Sequence, residues 1–579
     1  LAADGALGVP DTLANVLLDR VDRLDADARR VLSVASVIGR SFDAGTITAV
    51  AGMAQDLSRH LDTLVKQEIV FRLRRKGDHY QFKHALIQDA VYGRLLSDER
   101  KRLHLAIAEA LETAHSGSER DVADVLVHHF RECDAVEKTI RYLILAGQKS
   151  LDVYAIDAAR DRFEESLNLT EDDPGLLSNE ETAELVLVNI RMSLLNGDVA
   201  KGQHLCEKYE ALIDAVFDDG RKAYFYSLSS FCLGNIGDSK KCQEAASKAL
   251  ALAKSSDDEY ALGHVLMTTA WIKMFFVNSD RDTYAMILEE ASSACEIGRR
   301  RNDDFLASFA IYANAGTALV YGDPGECRRQ ADILLELAQA DGNLMARQTG
   351  LVSHAWVSIF DQDPQSALNM AREASSLSMT PMIKIPVRAL EAAALINTGD
   401  ISDGFAKLTK TYDELLEKQL RTQMWLLNPT YGLAIFLNGD FSAGTRWIVE
   451  KESEWRELGF QATGSGLYYL TLGEIYLNVA LSDEKPPLSV MLRNWWFLMT
   501  TLPRAKSLAT KYFEQAVAIW RAYPAPSLLA WALCGLAEIA ASRRNKNEAQ
   551  ELCGEAIELA ESVNANATAE RARKTLAEL

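Results

Sequence analysis

The chain has 579 residues, of which 48% are hydrophobic and 25% charged, and its formal net charge at pH 7 is −20. That length exceeds what one hydrophobic core serves, so several domains or a repeat array are expected, and the composition is that of an ordinary soluble fold. The negative charge repels polyanions and argues against broad nucleic-acid binding, and no apolar run reaches the ~18 residues that a membrane-spanning helix needs.

Leu1 to Pro10 is rich in Gly and Ala and reads as a linker from an upstream domain; the chain starts without Met or a signal peptide, as expected of the carboxy-terminal part of a longer protein. Asp11 and Thr12 can cap a helix whose apolar stripe is Leu13, Leu17, Val21 and Leu24. A second helix over Arg29–Ile38 stops at Gly39. After Ser41-Phe42-Asp43, two further helices are expected near 44–51 and 57–66, then a strand Ile69-Val70-Phe71. The polar stretch Arg74 to Asp78 reads as a solvated hairpin tip rather than a DNA contact, and Tyr80, Phe82 and His84 alternate as a strand would. From Ala85 the period changes, and Ile87, Val91 and Leu95 line one helical face. Three helices and a two-stranded wing define a winged-helix module over 11–118, closing helices included.

Residues 119–579 read as helical repeats. Turns recur at Asn196-Gly197-Asp198, Ile236-Gly237-Asp238, Tyr321-Gly322-Asp323, Asp361-Gln362-Asp363, Thr398-Gly399-Asp400 and Asn438-Gly439-Asp440, with Asn278-Ser279-Asp280 filling the long gap, at a period of about 40 residues. A helix rich in small residues follows each turn: Cys242, Ala246, Ala249; Cys327, Ala331; Ala367, Met370, Ala371, Ala374. The fold class is therefore mainly α, a tetratricopeptide-like α-solenoid of about ten helix pairs in a right-handed superhelix behind the winged helix. Candidates for lining its groove are Trp271, Phe275, Phe276, Trp356, Phe360, Trp425, Tyr431, Trp447 and Trp455, although aromatic groups at this spacing also pack between helices. An insertion around 484–505, with the apolar run Leu488–Leu502, breaks the period. A helix folded over the solenoid core is expected there; a membrane-surface or partner-docking helix is the alternative.

The chain contains no phosphate-loop motif, no H-E-x-x-H helix and no G-x-S-x-G elbow, so no catalytic residues are expected. His128 and His129 are adjacent and point about 100° apart on a helix, one packed and one exposed, so no metal site is expected from the pair. The eight cysteines are scattered without a C-x-x-C pair, as in a protein of the reducing cytoplasm.

Val9–Phe42 and Phe82–Leu96, with Ala135–Leu167, resemble the region that follows the nucleotide-binding core in bacterial STAND-type signalling ATPases. That group includes class III adenylate/guanylate cyclases with an ATPase module and tetratricopeptide repeats, and the large LuxR-type regulators. Leu470–Val517 resembles the carboxy-terminal repeats of the cyclase-type members, and the chain ends in helical repeat rather than a helix-turn-helix. The resemblance implies a non-catalytic sensor and regulatory arm, with a protein or small-molecule guest in the repeat groove and an upstream ATPase and cyclase as its own partner domains. ATP or ADP and Mg would belong to those upstream domains alone. His84 stands where related ATPases keep a histidine that senses the β-phosphate of ADP; helix capping or packing under the wing is its other reading. A plain repeat scaffold and the effector arm of a LuxR-type regulator remain the alternatives.

Overall fold

The computed structural model describes residues 19–53, 55–73, 78–153, 155–277, 280–377, 380–424, 427–482 and 486–579. The linker 1–10, the helix start with Asp11, Thr12, Leu13 and Leu17, the tip 74–77, Asn278, Ser279, Trp425 and residues 483–485 lie outside them. Two units divide the chain, Leu1–Leu185 and Val186–Leu579.

In the first unit, carboxylates start the helices as their spacing predicts. Asp25 accepts the N–H of Ala28 at 2.7 Å to open the helix Ala26–Ile38, and Asp43 accepts that of Thr46 at 2.8 Å to open Ala44–Ala51. A helix Leu57–Lys66 follows, then strands β2 (Val70–Arg72) and β3 (His79–Phe82). Ser41–Asp43, expected as a mere connection, is a further strand, β1, and the sheet order is β1-β3-β2, antiparallel throughout. Phe42 makes the difference: it sits opposite Tyr80, stacks on it at 5.9 Å and meets the edge of Phe82 at 5.7 Å. A three-residue strand shows too little alternation to be recognised by period. Its core joins Phe42 and Phe82 to Val31, Leu32, Ile47, Leu61, Leu64 and Ile87.

Beyond the helix Ala85–Arg94, which buries Ile87 and Val91, come Ser97–Ala114, Ala123–Glu132, and then helix pairs. In chain order, and among the described residues, ten pairs run from Val136–Asp152/Ile156–Asp172 to Pro526–Ser542/Lys546–Ser562, and Asn566–Ala577 ends the series. The second unit is thus a tetratricopeptide-like α-solenoid, in which first helices such as Glu259–Phe276 and Asp304–Val320 pack on their sequence neighbours and also on the next first helix.

The repeat turns have one chemistry. Gly197, Gly237, Gly322, Gly399 and Gly439 adopt φ between 62° and 95°, and Gln362 adopts the same left-handed conformation without being glycine. The following aspartate then caps the next helix: Asp198, Asp238, Asp323, Asp363 and Asp440 each accept a backbone N–H three residues on at 2.9–3.1 Å. Asp280 does the same toward Thr283 at 2.9 Å and opens the helix Arg281–Arg300, so a helix starts within the long gap as the period required. Asp400 starts its helix without such a bond. First helices of the pairs, such as Glu259–Phe276 and Asp304–Val320, are buried on nearly every face, whereas second helices bury one stripe, as Cys242, Ala246, Ala249 and Ala253 do.

The solenoid of this unit coils back on itself. The backbone N–H of Gln461 donates to the Phe275 carbonyl at 2.9 Å and its side chain to the Met274 carbonyl, 187 residues earlier. Thr422 donates to Asn235 at 2.6 Å, the Ser527 N–H to the Gly322 carbonyl at 3.1 Å, and Phe276 stacks on Phe460 at 4.7 Å. Three helices are tied together by the Asp303 carboxylate, which receives Tyr260 Oη at 2.7 Å, the Leu306 N–H at 2.9 Å and Arg191 Nη2 at 3.2 Å. Burial raises the pKa of this group, but Arg191, the nearby His264 and the Leu306 N–H outweigh that and hold it well below the usual carboxylate range.

The insertion departs from expectation. It is two short helices, Leu488–Arg493 and Trp495–Thr501, broken at Asn494. Only the face 494, 497, 501 turns inward: Asn494 accepts the Phe441 N–H at 3.0 Å, and Phe497 packs beside Phe441 and Phe436. Leu488, Leu492, Trp495, Trp496, Met499 and Leu502 are all more than half exposed, so most of the run does not cover the solenoid core.

Two outcomes test this packing. Gly444→Ala replaces glycine by a better helix former, yet its Cβ would stand 2.6 Å from the Gly432 carbonyl oxygen and 2.7 Å from the Phe436 nitrogen; thermal unfolding should show a loss of about 1–3 kcal/mol. Asp303→Asn leaves Arg191 facing a neutral group and should cost about 3 kcal/mol at pH 7. Because the folded-state pKa of Asp303 is depressed, its contribution is full above the unfolded value near 3.9 and fades as the pH falls below it, so variant and wild type should converge in acid denaturation.

Candidate functional site

The first helices of successive pairs turn a common face inward, and together they wall a cavity of about 110 Å³. Glu259–Phe276 supplies Trp271, Met274 and Phe275, and Asp304–Val320 supplies Phe309, Tyr312 and Gly316. Trp356 comes from Leu344–Phe360 and Met382 and Pro386 from Pro381–Asn397, while Thr422, Gln423 and Leu427 close one side. The aromatic walls are braced from behind: Phe231 lies 4.4 Å from Trp271 and 5.6 Å from Phe309, ring centre to ring centre.

The lining is apolar apart from a few acceptors and hydroxyls. Gln423 Oε1 is buried and has no hydrogen-bond partner among the described residues, although it borders the cavity. Pro386 has no N–H, so the Met382 carbonyl one turn earlier lacks its ordinary helical donor. Burial pushes the Tyr312 phenol up to about 12. A dry apolar cavity of about 150 Å³ takes a benzene ring. This one therefore suits a group of similar or smaller size, an apolar body carrying one hydrogen-bond donor, rather than a whole polar metabolite.

Of the residues singled out by sequence, Trp271, Phe275 and Trp356 line the cavity. Phe360 instead meets the edge of Trp531 at 6.3 Å, and Tyr431 and Trp447 pack with Tyr412 at 4.9 and 5.2 Å between neighbouring helices. Phe276 is committed to Phe460, and Trp455 stacks on that same ring at 3.9 Å while its indole N–H donates to the Gln461 carbonyl at 3.1 Å. Trp425 is outside the described residues. Phe309, Tyr312, Met274 and Gln423 were missed, although Phe309, Tyr312 and Gly316 follow the i, i+3, i+7 rhythm of one helical face.

His84 occupies the N-cap position of Ala85–Arg94, is exposed, and makes no side-chain capping bond, so it neither caps with its ring nor packs beneath the sheet. His129 is buried and His128 exposed, as expected, but their rings are not kept apart: together with His104 of Ser97–Ala114, each offers a ring nitrogen, and the three lie within 4.8 Å of one another. The 100° separation holds for the directions in which the two side chains leave the helix, and beyond it their rings converge with a third imidazole from another helix.

No protein-family model matches the chain. A stretch of 176 residues is 28% identical to an uncharacterized protein of Rhizobium meliloti (strain 1021); it makes up 29% of this chain and spans only 16% of that protein. Among solved structures, a Signal Transduction ATPase with Numerous Domains (STAND) protein with a tetratricopeptide repeat sensor from Pyrococcus horikoshii is similar at 14% identity and a TM-score of 0.44, over 79% of this chain and 68% of that one. The APC/C hetero-tetramer Cut9–Hcn1 is similar at 11% identity and 0.41, over 92% of this chain and 98% of that one. These likenesses assign no activity to the chain. No helix among the described residues is long and apolar enough to cross a membrane.

Phe309→Ala should remove the brace between the cavity wall and Phe231 and lower stability by about 3–5 kcal/mol, read as a drop in the denaturant midpoint at unchanged slope.

Proposed function

We propose that the chain is a non-catalytic sensor and regulatory arm of a STAND-type signalling ATPase, and that a guest seated in the aromatic cavity controls an upstream nucleotide-dependent output, a cyclase in the reading the sequence resemblance favours. The observation that carries this is the position of the cavity: Met274 and Phe275 wall it with their side chains and hold Gln461 with their carbonyls. Occupancy and coil closure therefore share residues, and a guest that fits better in one state than the other shifts the balance between them. In this reading the amino-terminal sheet and its helices act as a winged-helix clamp, and the exposed His84 ring meets nucleotide phosphate in the ATPase core, where ATP or ADP and Mg bind. A guest protein would enter by one apolar anchor side chain; a small molecule would enter whole.

The exposed apolar run Leu488, Leu492, Trp495, Trp496 and Met499 favours a second reading, a scaffold that docks a protein partner without nucleotide control.

Phenol, an apolar ring with one donor, tests the first reading. It should bind the purified chain more tightly than toluene does, lose that preference in Gln423→Leu, and change hydrogen exchange at the Gln461 amide at least ~10-fold when bound. Binding that leaves the Gln461 amide unchanged would remove the sensor mechanism, and no binding of either probe would remove the guest.

A further inference from the structure

We propose that His104, His128 and His129 form a binding site for one divalent transition-metal ion, with Zn²⁺ the foremost candidate. The ring centres form a nearly equilateral triangle, 5.6 Å from His104 to His128, 5.1 Å from His104 to His129 and 5.1 Å from His128 to His129. A tetrahedral ion with metal–nitrogen bonds of about 2.0–2.1 Å places three ligating imidazole centres roughly 5 Å apart. Three ring nitrogens, one from each residue, already lie within 4.8 Å of one another.

Hydrogen bonding alone leaves this cluster incomplete. His104 Nε2 is 3.0 Å from Tyr92 Oη, and His104 Nδ1 is 2.9 Å from His129 Nδ1. If His104 Nδ1 carries the shared proton, His129 must hold its own on Nε2; if His129 Nδ1 carries it, Nε2 is a bare acceptor. In both tautomers His129 Nε2 is buried without a partner among the described residues. The two facing Nδ1 atoms can share only one proton, whereas a cation accepts both lone pairs at once, with His129 then carrying its proton on Nε2. Tyr92 Oη then takes the Nε2–H of His104 and fixes the tautomer whose Nδ1 faces the ion, the outer-shell role that metal-bound histidines commonly require.

The surroundings suit the ion. Burial first, then the neighbouring imidazoles, which disfavour a second charge beside them, lower the pKa of His104 to about 4 and of His129 to about 3, so both rings are neutral and ligand-ready at pH 7. Glu132 brings a negative charge to His104, and Arg100 a positive one. His128 is exposed, so the fourth position opens toward water, and imidazole donors suit Zn²⁺ best among abundant divalent ions. The ion would pin the helix Ser97–Ala114 to Ala123–Glu132 across the intervening turn.

The test uses the tag-free 579-residue chain, stripped of metal, and Zn²⁺ alone, titrated against a chromophoric chelator. One Zn²⁺ per chain should bind, the melting temperature should rise with Zn²⁺, and Co²⁺ should give the intense visible absorption of a tetrahedral site. His128→Ala, at an exposed position, should keep the circular dichroism of the wild type yet lose at least ~10-fold in Zn²⁺ affinity together with the thermal shift. Failure of the wild type to bind stoichiometrically, or unchanged binding in His128→Ala, would overturn the assignment.

Discussion

Two carbonyls at the end of one helix, those of Met274 and Phe275, hold Gln461 from a part of the chain 187 residues away, and the enclosed character of the solenoid depends on that grip. The last four carbonyls of any α-helix have no intrahelical donor and must be satisfied from outside. Here the donors arrive from the next coil. The same economy recurs at other repeat turns, where the Gly322 carbonyl accepts the Ser527 N–H and the Asn196 carbonyl accepts Lys418 Nζ. Groups that would otherwise need water thus become the adhesive between coils.

This arrangement explains the division of labour within each pair. Second helices carry the stripe of small residues that lets backbones approach, as where Gly444 faces Gly432 and Gly298 faces Ala307. First helices, pressed between neighbours on both flanks and by the returning coil, are apolar almost all round. Where their large side chains do not fill the axis, the aromatic cavity remains. Its unmatched acceptor, Gln423 Oε1, sets the chemistry of what could sit there. The solenoid also keeps a buried charged knot, Arg191 with Asp303, where the cost of burying a carboxylate is offset by three donors, Arg191 Nη2, Tyr260 Oη and the Leu306 N–H.

The sequence was most readable where a structural rule needs particular residue types. Glycine followed by aspartate located the turns, and even the gap at Asp280 could be filled from the period. Contacts between coils were hidden, because many of them end on backbone carbonyls, which carry no residue signature. Ser41–Asp43 was hidden for the opposite reason, since three residues cannot display a period. The aromatic candidates divide along the same line: Trp271, Phe275 and Trp356 sit on first helices and reach the cavity, while Tyr431 and Trp447 sit at a helix–helix seam that the same spacing describes equally well. The histidine cluster shows the limit of reasoning along one helix, for its third member comes from another.

The return of the coil is open to a direct covalent measurement. A Cβ built on Gly459 lies 3.5 Å from the Ser239 Cβ, within the range a disulfide requires, and seven of the eight native cysteines are buried, with Cys133 partly so. In a Ser239→Cys, Gly459→Cys double variant under mild oxidation, the account predicts a near-complete cross-link between the two new cysteines, identified by peptide mass mapping of the folded chain. Two thiols that stay free and separately alkylatable in a folded protein would contradict it.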